Sequence, residues 1–540
     1  MIGTATEWRE TDTMSNNTKG PGWQKLGWRI VLPILLLQFY SRFVPSPRAE
    51  FIADDWSNYA RSTFYTSSAQ AAWTGLQDPN RPISMMAVEL AYRGFRARPV
   101  YWTVLSVAAH SFLLWCVMHV GFELTGRRRV AALQGALFAL LPNIPETWHW
   151  STQIVNETTC ALMFYAWSAW LFLSHLRRGG ILRLVFSVLT YAVALFSYEQ
   201  GILLPAAYGV LLLWRPGRWR EGLRMAPFAG VVLFYAAWRL TNAFGLNESW
   251  SYPPHMNVEG FSLWVVGWNV RQVLHWWIGD RFFGAILGGL TGFATLGLRL
   301  RRWLIVGNLV AVGLAAGWWG RSSRQKDEVD PEAFTSAQAV LFGVVWIGAS
   351  VATSLVSYTA GRLNVLPAMG VTLLGGMILA HLPWRTWAAV LFVPAVICLV
   401  ANQGTTENFR QVGEFNRRLY NYLSLRQADW QEKDILYVDT MSLRHRLTRG
   451  LLSIEARTDE VWAEYGNVPF LRGFVPGGMV RLLTRQPQPR IRIVHDMECG
   501  GRLESDALYW HTRYNPEKPH RTPRNQVFVV DVWEAAVQAR

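Results

Sequence analysis

Two adjacent carboxylates, Asp54 and Asp55 in the string Phe51–Trp56 (FIADDW), are the side chains of this 540-residue sequence best placed for proton chemistry. They follow an apolar run at 27–45, and acids at a membrane edge are costly unless solvated or paired. Consecutive side chains cannot point the same way on a helix or strand. One acid would therefore serve as general base while the other orients it or binds a partner. The plain alternative is a solvated loop start or a helix cap, for which Asp is a preferred residue. Glu199, at the end of a later apolar run in a loop without Lys or Arg, is a third candidate. It reads equally as a functional acid or as an interfacial carboxylate in water.

The elements that must hold these acids are membrane helices. Hydrophobic residues make up 51% of the chain and charged ones 16%, against about 25% charged in an average soluble protein. This excludes disordered, collagen-like and disulfide-scaffold classes. Runs near 27–45, 100–122, 130–143, 154–174, 181–197, 200–214, 225–242, 336–356, 363–380 and 386–402 approach the roughly 20 apolar residues of a spanning helix. Three more at 260–279, 283–298 and 302–318 leave the total at 11 or 13 spans. The expected fold is an all-α polytopic membrane protein with a small α/β extracytoplasmic domain at its carboxyl end.

Orientation follows from the loops. Arg127–Arg129, Arg177 with Arg178 and Arg183, and Arg215 with Arg218, Arg220 and Arg224 alternate with loops at 143–153, 198–200 and 242–260 that hold no Lys or Arg. Positive loops stay in the cytoplasm. That puts the tail 1–26 inside, and the long loop 46–99 and the segment 404–540 outside, around a membrane domain of 27–403. The net charge of +15 is mostly Arg in these short loops, which suits a bilayer and not a nucleic acid. The first 24 residues are polar, so the first run reads as a retained helix and not a cleaved leader. Past 404, the β-rich strings 434–440, 490–496 and 526–533 predict strands. Four scattered cysteines give no metal-ligand spacing. No cofactor is required by the sequence, and a divalent metal is left open.

The order of several strings resembles GT-C type membrane glycosyltransferases, in the branch of the protein O-mannosyltransferase-like and TMTC-like proteins. DDW follows the first span; then come NRPISMMAVELAYRGF (80–95), a span with His110, the string ALFALLPNIPETWHWST (136–152), SYEQGILLP (197–205) and GRLNVLPAMG (361–370). Tyr198 stands where that branch often has Lys, Gly361 and Asn364 replace its Glu and an aromatic, and no tetratricopeptide-like repeats occur in the tail. The resemblance implies direct, inverting transfer of a sugar from a polyprenyl-phosphate donor to a hydroxyl of a lipid-linked glycan, polymer or protein. The reaction would run at the outer face of a bacterial inner membrane. Asp54, as first acid of the pair, would be the base, and Asp55 would orient the acceptor or hold the loop. Arg362 is the cation expected at the leaving phosphate, which an Arg fork suits; its other reading is a snorkelling anchor. Arg81 and Arg239 are further candidates of the same kind. His149 and Trp150 would face the sugar, or else belong to an aromatic belt. A glycolipid transporter or flippase, or a non-catalytic scaffold, is the alternative; a transporter would place its ionisable groups at mid-membrane in related halves.

Overall fold

The computed structural model describes residues 27–45, 51–52, 55–144, 146–213, 222–244, 263–322, 333–356, 361–439, 463–465, 468–471, 474–496, 501–512, 515–532 and 534–535. The expected cytoplasmic tail 1–26 lies outside them, as does Asp54.

Helix α1 (Trp28–Phe43) is followed by three short helices in the first long loop: α2 (Asp55–Thr63), α3 (Ser68–Leu76) and α4 (Pro82–Phe95). Pro82 opens α4, where its missing N–H costs nothing. The bundle continues with α5 (Pro99–Thr125), α6 (Arg128–Leu140), α7 (Ser151–Arg178), α8 (Ile181–Ser197) and α9 (Pro205–Leu212). Next come α10 (Ala226–Phe244), α11 (Leu263–Ile278), α12 (Asp280–Thr295), α13 (Leu298–Ser322), α14 (Ser336–Val356), α15 (Val365–His381) and α16 (Trp384–Leu425). Among the described residues five helices are long and apolar enough to cross a membrane: α5, α7, and segments 298–317, 336–355 and 389–425 of α13, α14 and α16. Three shorter apolar helices join them. The chain is an all-α polytopic membrane protein with a small α/β unit at its carboxyl end.

Two details depart from a plain bundle. Close to the start of α7, Ile154–Leu162 is a π-helix, a winding that often accompanies functional sites. And α16 runs 42 residues without a break, so the composition change near 404 falls inside one helix. Small residues let α12 lie against it. A side chain on Gly404 would collide with the Gly289 carbonyl, and Asn408 Nδ2 donates to the Gly288 carbonyl at 2.8 Å. Asn308 and Gln403 exchange two amide hydrogen bonds of 3.0 Å each between α13 and α16. Close backbones and buried amides hold membrane helices together where hydrophobicity cannot.

At the basic-loop end Glu123 is fully buried and takes Arg177 Nη1 at 2.7 Å and Arg178 as a second partner.

Beyond α16 and α17 (Gln427–Gln431) lies the α/β unit. Strands β1 (Ile435–Asp439), β4 (Arg492–His495) and β8 (Val527–Asp531) form a parallel sheet of order β4-β1-β8, with Ile435 opposite both Arg492 and Val527. These are the three strands expected from the sequence, and β1 is buried like any parallel core strand. Between them run the hairpin β2 (Ala463–Tyr465) and β3 (Val468–Leu471), helix α18 (Phe474–Thr484), and the antiparallel strands β5 (Arg502–Leu503), β6 (Ala507–Thr512) and β7 (Asn515–Pro523). The polar, proline-bearing string of β7 hid that third sheet, because proline marks edge strands. One apolar core gathers Phe51, Ile52 and Trp56 of the first loop with Leu436, Val475, Met479 and Val530 of the α/β unit.

Candidate active site

Asp55 opens α2 and is wholly buried. Its Oδ2 accepts the Ile52 backbone N–H at 2.8 Å, which closes the turn before the helix. Its Oδ1 accepts the Thr152 backbone N–H at 2.8 Å, the Thr152 hydroxyl at 2.7 Å, and the Tyr92 hydroxyl. Asn58 Nδ2 in turn donates to Thr152 Oγ1 at 3.0 Å. A carboxylate with this many donors is held in one orientation. Asp55 thus ties the first loop to α4 and to the start of α7.

The opposite end of α4 carries a second constellation. The Asp78 carboxylate accepts the N–H groups of Asn80 and Arg81 at 2.9 and 2.7 Å, a side-chain turn that aims Arg81. Arg81 then grips Glu199 with both arms, Nε to Oε2 at 3.1 Å and Nη2 to Oε1 at 2.9 Å. Its guanidinium also lies 3.8 Å from the ring centre of Tyr198, so the aromatic found where the branch often has Lys serves as a cation–π partner. Arg239 Nη1 donates to Asn80 Oδ1 at 2.6 Å, and Ser84 Oγ to the Ser197 carbonyl at 2.9 Å. Gln200 donates its side-chain N–H to the Leu363 carbonyl in the 3-10 turn Gly361–Asn364. Three strings distant in sequence, 80–82, 197–200 and 361–364, therefore meet. Arg362 belongs to that turn; its side chain lies outside the described residues.

These contacts place several of the residues singled out in the sequence. Glu199 and Arg81, read separately as an acid and a phosphate cation, are partners of one another. Arg81 and Tyr92 are separated by about 16 Å of helix rise along α4, so the Glu199 pair and the Asp55 clamp hold opposite ends of that helix. His149 and Trp150 are each 1% exposed and do not line an open sugar site. His149 packs between Phe43 and Phe409 with Nε2 3.3 Å from Thr406 Oγ1, and Trp150 lies in the core beneath the first loop. Alternation of aromatic and polar types could not show that both sides of this string are covered.

Sequence reasoning missed Tyr92 and Thr152, although both stand in strings that carry the resemblance, and it missed Arg42. Arg42 ends α1, is 1% exposed, and bonds Asn402 Oδ1 at 2.9 Å and the Leu141 carbonyl. Its guanidinium lies 5.2 Å from the Trp148 ring centre, and His110 stacks on the same indole at 3.5 Å. Its neighbours are thus neutral, and Arg42 forms no ion pair among the described residues. The available signal was an Arg at the end of a span opposite to the Arg-rich loops, where the positive-inside trend does not expect one.

In the first loop Glu89, 2% exposed, pairs with the half-exposed Arg61. Burial pushes its carboxyl above the usual range, and Arg61 offsets only part of this. Among the described residues no group of three His, Cys, Asp or Glu could hold a metal ion.

Fold and site together define an integral membrane protein with an acid loop clamped over its bundle. No family model matches the chain, and no curated protein is similar to it. Eleven solved chains match it in fold. One is the crystal structure of ArnT from Cupriavidus metallidurans in the apo state, aligned over 76% of this chain and 82% of that one at 14% identity, with a TM-score of 0.40.

Proposed function

We propose that the chain is a membrane glycosyltransferase of GT-C type. It moves a sugar from a polyprenyl-phosphate donor to an acceptor hydroxyl at the outer face, with inversion. The observation that carries this reading is the meeting of Asn80–Pro82, Ser197–Gln200 and Gly361–Asn364. These are strings on which the resemblance rests, and packing joins them although more than a hundred positions separate each from the next in sequence.

Asp54 is the base. It takes the acceptor O–H proton as that oxygen bonds to the anomeric carbon and the carbon–oxygen bond to the lipid phosphate breaks. Asp55, held by four donors, keeps the loop in place and stays out of the proton transfer. The departing phosphate gathers charge, which a fixed cation stabilises; Arg362, in the turn that meets Gln200, is the residue assigned to it. Arg239 stands beside Arg81, whose own charge is balanced by Glu199, so the Arg81–Glu199 pair frames the site. The acceptor, a lipid-linked glycan, polymer or protein, comes from the side of the α/β unit.

The test is sugar transfer from synthetic polyprenyl-phosphate donors by the full chain in nanodiscs. Asp54→Asn keeps shape and hydrogen bonding but not proton acceptance, so turnover should drop about 10²-fold or more while donor binding stays. Turnover within a few-fold of wild type would remove Asp54 as base.

A further inference from the structure

We propose that the carboxyl-terminal α/β unit is a positioning element of the active site, because its helix α18 is seated through Gly478 on the backbone of the helix that begins with Asp55. A β-carbon built at Gly478 would lie 2.5 Å from both the Ser57 nitrogen and the Trp56 carbonyl carbon, and 2.7 Å from the Trp56 oxygen. Those are backbone atoms and cannot swing away. Only glycine allows this approach, and any larger residue must drive α18 and α2 apart by roughly 1 Å, given normal contact distances. Gly477, its neighbour, meets nothing within 4 Å, so the constraint belongs to one position and not to the helix at large.

Two further contacts act on the same turn. The Trp56 indole stacks on Tyr420 of α16, with ring centres 5.2 Å apart and planes 22° from parallel. Trp56 also shares a buried core with Val475, Met479 and Val480 of α18. From the bundle side, Asp55 is bonded to Tyr92 and Thr152. The first turn of α2 is therefore gripped by hydrogen bonds from the bundle and by close packing from the α/β unit. Hydrogen bonds of 2.7–2.8 Å to Asp55 do not survive a 1 Å displacement unchanged, and a misplacement of about 1 Å costs on the order of 10²-fold in a rate that depends on alignment. The geometry at Asp55 is set from both sides. The effect on rate rests on the transferase reading; the seat itself rests on packing alone.

The experiment compares Gly478→Ala and Gly478→Val with Gly477→Ala in the full chain in nanodiscs. Backbone hydrogen exchange is followed over residues 51–63, together with kcat and donor KM. Both Gly478 variants should speed exchange in that segment and lower kcat by about 10- to 10²-fold with donor KM within about two-fold of wild type; Gly477→Ala should behave as wild type. Should Gly478→Val not fold, Tyr420→Leu loosens the same turn without added volume and should reproduce the split. Unchanged exchange in the folded variants would overturn the seat, and faster exchange with unchanged kcat would overturn the positioning role. If the wild-type chain transfers no sugar, the transferase reading fails, and with it the effect on rate, while the exchange arm still decides the seat.

Discussion

In the proposed reaction Asp54 and Asp55, adjacent in the chain, do unlike work. A carboxylate can serve as base only with a lone pair free for the incoming proton. Asp55 meets donors from Ile52, Tyr92 and Thr152, so its loss is felt in folding first. Asp55→Asn would turn an amide N–H₂ towards the backbone N–H of Ile52 or of Thr152, which can only donate, and each buried donor left unmet costs about 1–3 kcal/mol. The expected outcome is a clear fall in the thermal unfolding midpoint, whereas Asp54→Asn should unfold near wild type. Equal midpoints would mean that the clamp does not support the loop. Glu89 adds a pH dependence with a definite sign. Burial raises its folded-state pKa above the ordinary Glu value. Its contribution to stability is therefore complete below the ordinary value of about 4.3, and is lost as pH rises through the folded-state value. The first loop should loosen from about pH 4 towards neutrality, read as faster hydrogen exchange over 55–95, with intrinsic exchange rates corrected for. Glu89→Gln, neutral throughout, should flatten that trend.

At the scale of elements, glycine decides which helices touch. The crossing of α12 and α16 brings the Gly289 carbonyl against Gly404, so the two backbones are nearly in contact and Asn408 bridges them. Gly404→Ala places a methyl group where backbone already lies and should destabilise the protein by about 1–3 kcal/mol, as overpacking does. Gly284, on the same α12, meets nothing within 4 Å, and Gly284→Ala should be neutral or slightly stabilising. Thermal unfolding in detergent separates the two. A Gly404→Ala variant as stable as wild type would show that the crossing yields without cost. The 42-residue α16 also explains why a boundary drawn from composition does not divide the molecule. Its apolar start and polar end satisfy different surroundings, while one helix, with Pro394 in its apolar part, carries the chain from one to the other.

For the whole molecule, the orientation drawn from the Arg-rich loops has a direct test. Single cysteines at exposed sites should label by side: Ala69→Cys in the first long loop and Arg490→Cys in the α/β unit from outside, Arg128→Cys only from the cytoplasm. All three are accessible positions. Labelling of position 69 from the cytoplasm alone would place the acid pair on the wrong side for an outer-face donor and undo the proposed reaction.

What the sequence alone determined is whatever depends on composition and short-range period. Long apolar runs dictate membrane helices, because unpaired backbone polar groups are too costly in lipid for anything but a helix or closed barrel. Short β-branched strings between polar turns dictated β1, β4 and β8. The acid pair's place after the first span was legible for the same reason. What only tertiary structure decided is who meets whom. Asp55 finds Tyr92 at 37 positions and Thr152 at 97 positions along the chain, and Arg81 finds Glu199 at 118. Helix and strand periodicity relates residues only a few positions apart. Arg81 and Glu199 therefore read as two candidate sites before folding joined them, and Asp55 read as a possible base before its lone pairs were engaged. His149 and Trp150 looked available until packing closed over them, and nothing local to Gly478 announces that another helix's backbone rests on it.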